Sequence, residues 1–365
     1  MVIASACNKS LVFCLGGVGK MELPLLSPEP MHAPDGFFSV GLSIAGWIIT
    51  AAMIALALRN TRSQLGERQI PLMGILAAAI FAGQMLNFSI PGGTSGHLLG
   101  GALAAILLGP WAGVLIITSV VAVQGLVFQD GGLLVMGLNI INMGIVTSFV
   151  GYFTYKLVTS VIKGRPGIIV GAFVGAWFSL IVTSAFAAVE LALSGTSPLG
   201  FALPAMVGVH TLIGIGEGIL TVSALLFILA TRPDFVTGEE APGQRSAGWV
   251  LGGLLIALAI TLLAPLASPY SDGLERIAQA FYQPGNVEQA PVGFAVPQGQ
   301  AFFGEFKEAP YQILPGYTVP FLGKGGASTI AAGMIGVIVV FGLAYGVAWL
   351  IKRLRESGAN ARSSP

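Results

Sequence analysis

Long apolar stretches separated by short polar segments recur along most of the chain. They fall at about 38–58, 71–90, 96–109, 111–128, 133–155, 168–193, 204–230, 247–267 and 328–351. A helix of about 20 apolar residues crosses the hydrocarbon core of a bilayer, so the pattern predicts nine membrane segments. The third is too short to cross alone, and we expect it to be tilted or covered by its neighbours.

A polar loop rich in glycine and proline, residues 268–327, separates seven of these segments from the last two. The predicted fold class is therefore an all-α polytopic membrane protein: a helical bundle of about seven spans, followed by two further spans that flank the loop. The predicted domains are a leader at 1–30, a membrane domain at 31–230, a linker at 231–246, a two-span domain at 247–351 and a tail at 352–365.

Composition supports a membrane protein and excludes other classes. Hydrophobic residues make up 55% of the chain and charged residues 9%, whereas a soluble domain carries about 25% charged residues. The net charge of +1, without a basic run interleaved with aromatic residues, gives no indication of nucleic-acid binding. The two cysteines, Cys7 and Cys14, lie near the start, which excludes a disulfide framework or thiolate metal site elsewhere.

The basic residues predict the orientation of the bundle. Outside residues 1–30 and the 268–327 loop, every lysine and arginine follows the first, fifth, seventh or ninth segment. Cytoplasmic loops carry an excess of lysine and arginine. We therefore predict that the amino terminus lies outside, that the carboxy terminus lies in the cytoplasm, and that the 268–327 loop is extracytoplasmic.

The six residues from Met31 to Gly36, just before the first span, contain a candidate metal chelate. If Met31 is the first residue, its α-amine, the amide nitrogen of His32 and the Nδ1 atom of His32 close a five- and a six-membered ring around one divalent ion. A near-planar set of nitrogen ligands favours Ni²⁺, Cu²⁺ or low-spin Co²⁺ over Mg²⁺ or Ca²⁺. The alternative is an accidental Met-His dipeptide in a loop.

Residues 1–30 contain a short apolar stretch, 11–15, that imitates a signal peptide. Pro28 and Pro30 occupy positions where cleavage before Met31 requires small residues. We therefore expect a start codon placed too early, with Met31 as the real first residue. The large side chain of His32 disfavours removal of that methionine, so the chelate would be retained.

Three histidines occur in the chain, His32, His97 and His210, and the last two lie within predicted membrane depth. An ionisable residue at that depth indicates a functional site. His97 lies in a glycine-rich loop that opens a helix on the same outer side as His32. A helix amino terminus disfavours a protonated imidazole, which makes His97 a candidate fourth ligand. The alternative is a hydrogen-bonded histidine at a helix cap.

Other polar residues are candidates for orienting the ligands. Asn87, Thr94 and Ser95 either hydrogen-bond the ligating imidazoles or act as local caps. His210 and Glu217 are seven residues apart, which places them on one face of a helix. Three roles are open for this pair: a hydrogen-bond network under the metal, a contact to a partner, or a structural polar pair. We favour a structural or network role over direct ligation of the metal.

The turn at residues 124–132 is interpreted as helix-joining structure. Part of this turn is also one of five motifs through which the chain resembles a known family. The family is the substrate-binding membrane component of energy-coupling-factor transporters for cobalt and nickel, the CbiM/NikM type. The resemblance covers Met31 to about Ala230. The matching motifs are Met31 to Gly36, Asn87-Phe88 with Pro91 to Gly101, Phe128 to Gly132, Asn139 to Gly144, and His210 to Thr221.

The last two spans resemble the small accessory subunit of that family, here fused. The stretch Ser271 to Glu275 is similar to that subunit's Pro-Asp-Gly-Leu-Glu signature, with serine in place of proline. One departure in the membrane domain is Ala33, where the family commonly has a larger aliphatic residue. Another is the leader, which would turn the Met31 amine into an ordinary amide.

The resemblance implies that Co²⁺ or Ni²⁺ is the transported substrate, held by Met31, His32 and His97, with no organic cofactor. It implies two kinds of partner, a transmembrane coupling protein and two cytoplasmic ATPases, in the bilayer of a bacterial or archaeal cell. The metal would supply cobalamin synthesis or nickel enzymes. The chain has no nucleotide-binding signature, so we expect it to be a transporter subunit and not an enzyme.

Two other functions are open at this stage. Ser95 with His210 imitates the Ser/His dyad of an intramembrane serine protease. The second open function is that of an ion channel or secondary transporter that works without ATPases. The sequence does not choose between cobalt and nickel, because both metals accept nitrogen ligands.

Overall fold

The computed structural model of the chain describes residues 31–62, 69–90, 94–231, 248–268 and 311–363. The predicted leader, most of the linker and most of the 268–327 loop, including Ser271 to Glu275, lie outside the described residues. The same holds for the side chains of Ile90, Thr94 and 358–363.

Within the described residues the chain is almost entirely helical. The α-helices are α1 (Val40–Thr61), α2 (Gln69–Gln84), α3 (Gly101–Leu108), α4 (Pro110–Val123), α5 (Met136–Ile140), α6 (Thr147–Val161), α7 (Gly164–Leu193), α8 (Leu199–Thr231), α9 (Gly248–Thr261) and α10 (Gly326–Ser363). Two π-helical segments extend these helices, Gln124–Phe128 after α4 and Ile141–Val146 between α5 and α6. Short 3₁₀ turns lie at Ala264–Leu266, Pro315–Tyr317 and Pro320–Leu322.

Seven helices of the described part are long and apolar enough to cross a membrane. They are α1, α4 with its π segment, the continuous α5–α6 helix, α7, α8, α9 and α10. The prediction of an all-helical multi-pass membrane protein is confirmed. The third predicted segment contains only the 8 residues of α3, which are packed against α4 and α6, in line with the expectation that neighbours cover it.

The second predicted segment is shorter than expected. It ends at Gln84 with α2, and residues 88–90 pair as an antiparallel strand, β1 (Phe88–Ile90), with β2 (Thr94–Gly96). The prediction of a helix to residue 90 is wrong: α2 ends at Gln84 and residues 88–90 are extended, a conformation that Pro91 favours at the residue before it. Gly100, with φ of 76°, then turns the chain into α3.

The two carboxy-terminal helices pack on the bundle through α2. The helices α9 and α10 both contact α2, and one apolar core contains side chains of α2, α4, α9 and α10. Small residues allow this approach: a Cβ added at Gly74 of α2 would lie 3.0 Å from the ring of Phe341 on α10. The two parts of the chain therefore share a core.

Candidate metal centre

The segment at residues 31–38, which precedes α1, is buried in the bundle. Met31, His32 and Ala33 are all buried, and the following phenylalanines join an apolar cluster with residues of α5, α7 and α8. The Ala33 carbonyl accepts hydrogen bonds from the Gly132 amide at 3.0 Å and from Asn139 Nδ2 at 3.1 Å. The turn before α5 thus holds this segment in place.

The carboxylate of Asp130 is the centre of the site. Its Oδ1 atom accepts hydrogen bonds from the backbone nitrogen of Met31 at 2.8 Å and from that of His32 at 3.0 Å. The Nδ1 atom of His32 lies 3.7 Å from the same oxygen and 3.2 Å from the Asp130 carbonyl. The three nitrogens of the predicted chelate therefore face one point beside a negative charge.

Local backbone geometry brings Asp130 to this position. The π-helical turn Gln124–Phe128 ends α4, and Gln129 then adopts a left-handed conformation with φ of 58°. Non-glycine residues rarely adopt this conformation, and π turns and such strain concentrate at functional sites. Gly131 has φ of 96°, and a Cβ there would lie 2.8 Å from the Cβ of His32. Only glycine allows the turn to approach the histidine this closely.

The imidazole of His97 lies beside that of His32, with ring centroids 5.6 Å apart. The Nδ1 atom of His97 lies 2.9 Å from the Leu98 carbonyl. This contact assigns the N–H to Nδ1, which leaves Nε2 as the ligating atom. At His32, a metal bound to Nδ1 would have to replace the contact of that atom with the Asp130 carbonyl. The Nε2 atom of His32 is buried and has no hydrogen-bond partner among the described residues.

Burial, and then the neighbouring His32, lower the pKa of His97 to about 4. Burial alone would raise the pKa of Asp130. The charge of His32, the Tyr317 hydroxyl and the two backbone N–H groups hold the pKa of that carboxyl below its usual value. At neutral pH the centre therefore combines a neutral imidazole at His97 with an ionised carboxylate, which suits binding of a cation.

Glu217 holds the loop that carries His97. Its carboxylate oxygens accept hydrogen bonds from the backbone N–H groups of Leu99, at 2.8 Å, and Gly100, at 2.9 Å. These groups precede α3, so the buried carboxylate caps that helix. His210 is half-buried on α8 with its Nδ1 atom 2.8 Å from the carbonyl of Met206 on the same helix.

The remaining predicted site residues differ in their surroundings. The Ser95 hydroxyl lies 3.9 Å from the sulfur of Met31 and donates towards it. Asn87 is buried, its carbonyl accepts from the Ser268 amide at 2.8 Å, and its side-chain amide has no partner among the described residues. The side chain of Thr94 lies outside the described residues. The structure thus brings Met31, His32, His97 and Ser95 together around Asp130.

Two polar residues of the centre were not predicted. Asp130 belongs to the turn that we interpreted as helix-joining, although it lies in one of the five motifs that carry the resemblance. Tyr317 lies in the 268–327 loop and donates a hydrogen bond to Asp130 Oδ2 at 2.5 Å. Because 187 residues separate this pair, no spacing in the sequence indicates the contact.

The donors available here restrict how a metal can be held. In the described segments, no group of three His, Cys, Asp or Glu side chains is arranged to hold a metal ion. A cation bound between the two imidazoles and Asp130 therefore needs main-chain or amino-terminal nitrogen among its ligands.

The fold and the candidate site together define a multi-pass membrane protein. Its buried polar site is rich in nitrogen atoms and is formed by the loops that precede α1, α3 and α5. A family model described as the cobalt uptake substrate-specific transmembrane region, CbiM, matches residues 32–235, and the chain belongs to this family. A PDGLE domain model matches residues 247–353. The predicted resemblance to a CbiM/NikM-type protein fused to its small accessory subunit is confirmed.

Curated relatives include fused and unfused proteins. A putative fused nickel transport protein NikMN of Archaeoglobus fulgidus is 36% identical over 320 residues, covering 86% of this chain and 97% of the relative. A probable fused nickel transport protein LarMN of Lactiplantibacillus plantarum is 30% identical, with coverage of 86% and 97%. A cobalt transport protein CbiM of Sorangium cellulosum is 33% identical over 216 residues, covering 56% of this chain and 94% of the relative.

A crystal structure of a truncated transition metal transporter is also similar. It is 30% identical with a TM-score of 0.51 and covers 55% of this chain and 99% of that chain. The chain is thus a membrane component of cobalt or nickel transport. The serine protease interpretation is not favoured, because Ser95 donates towards the Met31 sulfur and His210 Nδ1 faces the Met206 carbonyl.

Proposed function

We propose that this chain captures Ni²⁺ or Co²⁺ at the outer face of the membrane with four nitrogen atoms. They are the Met31 α-amine, the His32 amide, His32 Nδ1 and His97 Nε2. The observation that carries the proposal is the convergence of the first three nitrogens on Asp130 Oδ1, at 2.8, 3.0 and 3.7 Å. The His97 ring lies next to the His32 ring, with centroids 5.6 Å apart.

The chemistry of these donors fits a late first-row dication. Amine, deprotonated amide and imidazole nitrogens suit Ni²⁺ and Co²⁺ better than they suit Mg²⁺ or Ca²⁺. Asp130 serves as a buried counter-charge and hydrogen-bond acceptor for the metal-free segment. The chelate requires a free amine at Met31, so the metal-binding form begins at that residue in this proposal.

Transport then requires partners that hydrolyse ATP. The sequence of this chain contains no nucleotide-binding signature, and its relatives carry names of transport proteins. We propose that a transmembrane coupling protein and two cytoplasmic ATPases drive release of the metal inward. In the orientation proposed from the basic residues, the chelate faces outward and the last helix ends in the cytoplasm.

Equilibrium dialysis of the detergent-solubilised chain beginning at Met31 tests the capture step. We expect one Ni²⁺ or Co²⁺ per chain, with Mg²⁺ and Ca²⁺ unable to compete at a thousandfold excess. Uptake of ⁶³Ni²⁺ or ⁵⁷Co²⁺ by cells that produce the chain with or without the ATPases tests the coupling. Uptake without the ATPases would show a channel or secondary transporter, and absence of binding would refute the capture site.

Metal affinity is expected to rise with pH. An α-amine has a pKa of about 8, so below that pH the metal displaces one proton from the amine and another from the His32 amide. His97, with a pKa of about 4, is already neutral and contributes no proton. Protons displaced from the amine and the amide therefore raise the logarithm of the affinity by about two per pH unit between pH 6 and 7.5, and any proton displaced from the His32 ring adds to this slope.

Dialysis at several pH values measures this slope directly. The matched control is binding of the same metal ion to a chelator of known protonation constants in the same buffers, which corrects for metal hydrolysis and buffer binding. A slope near zero over this interval would contradict ligation by the amine and the amide.

A further inference from the structure

A segment of the carboxy-terminal part reaches the proposed capture site. Residues 311–322, which we call the accessory segment, precede α10 and lie against the turn that carries Asp130. The Tyr317 hydroxyl donates a hydrogen bond to Asp130 Oδ2 at 2.5 Å. Tyr317 is 1% exposed, so this contact is closed to solvent.

Several contacts fix the Tyr317 phenol. Its ring stacks on that of Phe128, with centroids 4.8 Å apart and planes 19° apart. Gln124 Nε2 donates a hydrogen bond to the phenol oxygen at 3.2 Å. Because the hydroxyl accepts from Gln124, its own proton is directed to Asp130.

The backbone of the accessory segment is joined to the same turn. The Leu314 amide donates to the Val127 carbonyl at 3.0 Å, and Gln129 Nε2 donates to the Tyr311 carbonyl. Both bonds involve residues that come just before Asp130 in the chain. The accessory segment and the turn that carries Asp130 are therefore joined by hydrogen bonds.

The two oxygens of Asp130 thus serve two different parts of the chain. Oδ1 faces the Met31 and His32 nitrogens, and Oδ2 faces Tyr317. We propose that Tyr317 is a positioning residue through which the accessory two-span part controls the capture site. It orients the Asp130 carboxylate so that, before the metal binds, Oδ1 holds the chelate nitrogens in place. This inference rests on the proposed function.

The physical basis is the weak torsional preference of a carboxylate. The terminal torsion of an aspartate is broad and roughly two-fold, so packing alone does not fix it. A charged oxygen that loses its donor in a buried site is left unsatisfied. Without the Tyr317 hydroxyl, the carboxylate is expected to rotate towards Gln124 and to release the chelate nitrogens.

The test is nickel binding by equilibrium dialysis to the full two-part chain beginning at Met31, compared with Tyr317→Phe. We expect about tenfold weaker binding, the scale of one hydrogen bond to a charged acceptor. The matched control is Tyr345→Phe, which removes an exposed hydroxyl in the same two-span part. Binding by this control should stay within twofold of the parent chain.

A double-mutant cycle separates positioning from a general loss of stability. In an Asp130→Asn background, Tyr317→Phe should have no further effect on binding, because Tyr317 acts through that carboxylate. Gln124→Met removes the donor to the phenol oxygen but keeps the Tyr317 ring packed, and it should weaken nickel binding two- to threefold. This variant replaces Tyr317→Phe in the test if Tyr317→Phe does not fold. Thermal unfolding of each metal-free variant reports its folding.

The outcomes distinguish this inference from the proposed function. If the parent chain binds no nickel, or if His97→Ala leaves binding intact, the proposed function fails. If both behave as expected but Tyr317→Phe or Gln124→Met binds like the parent, the positioning role fails alone. Additive effects of Tyr317→Phe and Asp130→Asn would likewise overturn the positioning role and leave the capture site standing.

Discussion

Replacing His97 with alanine is expected to weaken nickel binding about a hundredfold or more. A site with four protein ligands binds a dication by about 10–16 kcal/mol in total, so removal of one ligand costs about 3 kcal/mol, a factor of about a hundred. In the proposed site, His97 is the ligand supplied by a separate element, the loop before α3. The remaining chelate then retains only three nitrogens of one dipeptide.

Equilibrium dialysis and the visible absorption of bound Ni²⁺ measure this effect together. A planar set of four nitrogens and a set of three nitrogens with water give different absorption bands, so the variant should lose affinity and change its band. His210→Gln provides the comparison. Its Nδ1 contact lies within α8, and we expect at most about a threefold loss, with an unchanged band. An unaltered spectrum in His97→Ala would remove His97 from the ligand set.

The membrane segments follow from the sequence because each one is a local property. Runs of about 20 apolar residues require helices, since lipid offers no partners for the backbone. The helix boundaries that were predicted wrongly are those that depend on single residues. Pro91 favours extended backbone at the residue before it, Gly100 turns the chain into α3, and the β1–β2 hairpin lies between α2 and α3.

The metal centre could be predicted only in part. Met31, His32 and His97 are chemically distinctive, and the scarcity of histidine in the chain directed attention to them. Asp130 was not predicted because aspartate followed by two glycines is also typical of an ordinary turn. Its carboxylate faces the chelate only because a π-helical turn and a left-handed Gln129 redirect the chain. Hydrophobic periodicity carries no signal for either feature.

Glu217 and Tyr317 show the same limitation over longer distances. The sequence indicated that Glu217 needs a partner at membrane depth but did not identify the backbone N–H groups of Leu99 and Gly100, 118 and 117 residues away. Such contacts depend on how α8 packs beside the His97 loop. Packing between distant helices is a collective property of shape, and a single sequence does not specify it by pattern.

Blocking the Met31 amine is expected to weaken metal binding about a thousandfold or more. An acylated nitrogen has no available lone pair, so one ligand is lost. The five-membered ring that anchors deprotonation of the His32 amide is lost with it, and two of four ligands are therefore removed at about 3 kcal/mol each before compensation by water. Binding to the chain that begins at Met31 should be compared with binding to the 365-residue chain and to a chain acetylated at Met31.

The structure explains why this effect should be local. The Met31 nitrogen lies 2.8 Å from Asp130 Oδ1, and an amide nitrogen makes the same hydrogen bond as an amine. The blocked chains should therefore fold and unfold like the parent while binding metal far more weakly. The matched control carries residues 1–30 appended after Pro365, which keeps the amine free. If mass spectrometry shows residues 1–30 still attached to a chain that binds nickel with full affinity, the amine is not a ligand and the proposed capture site is refuted.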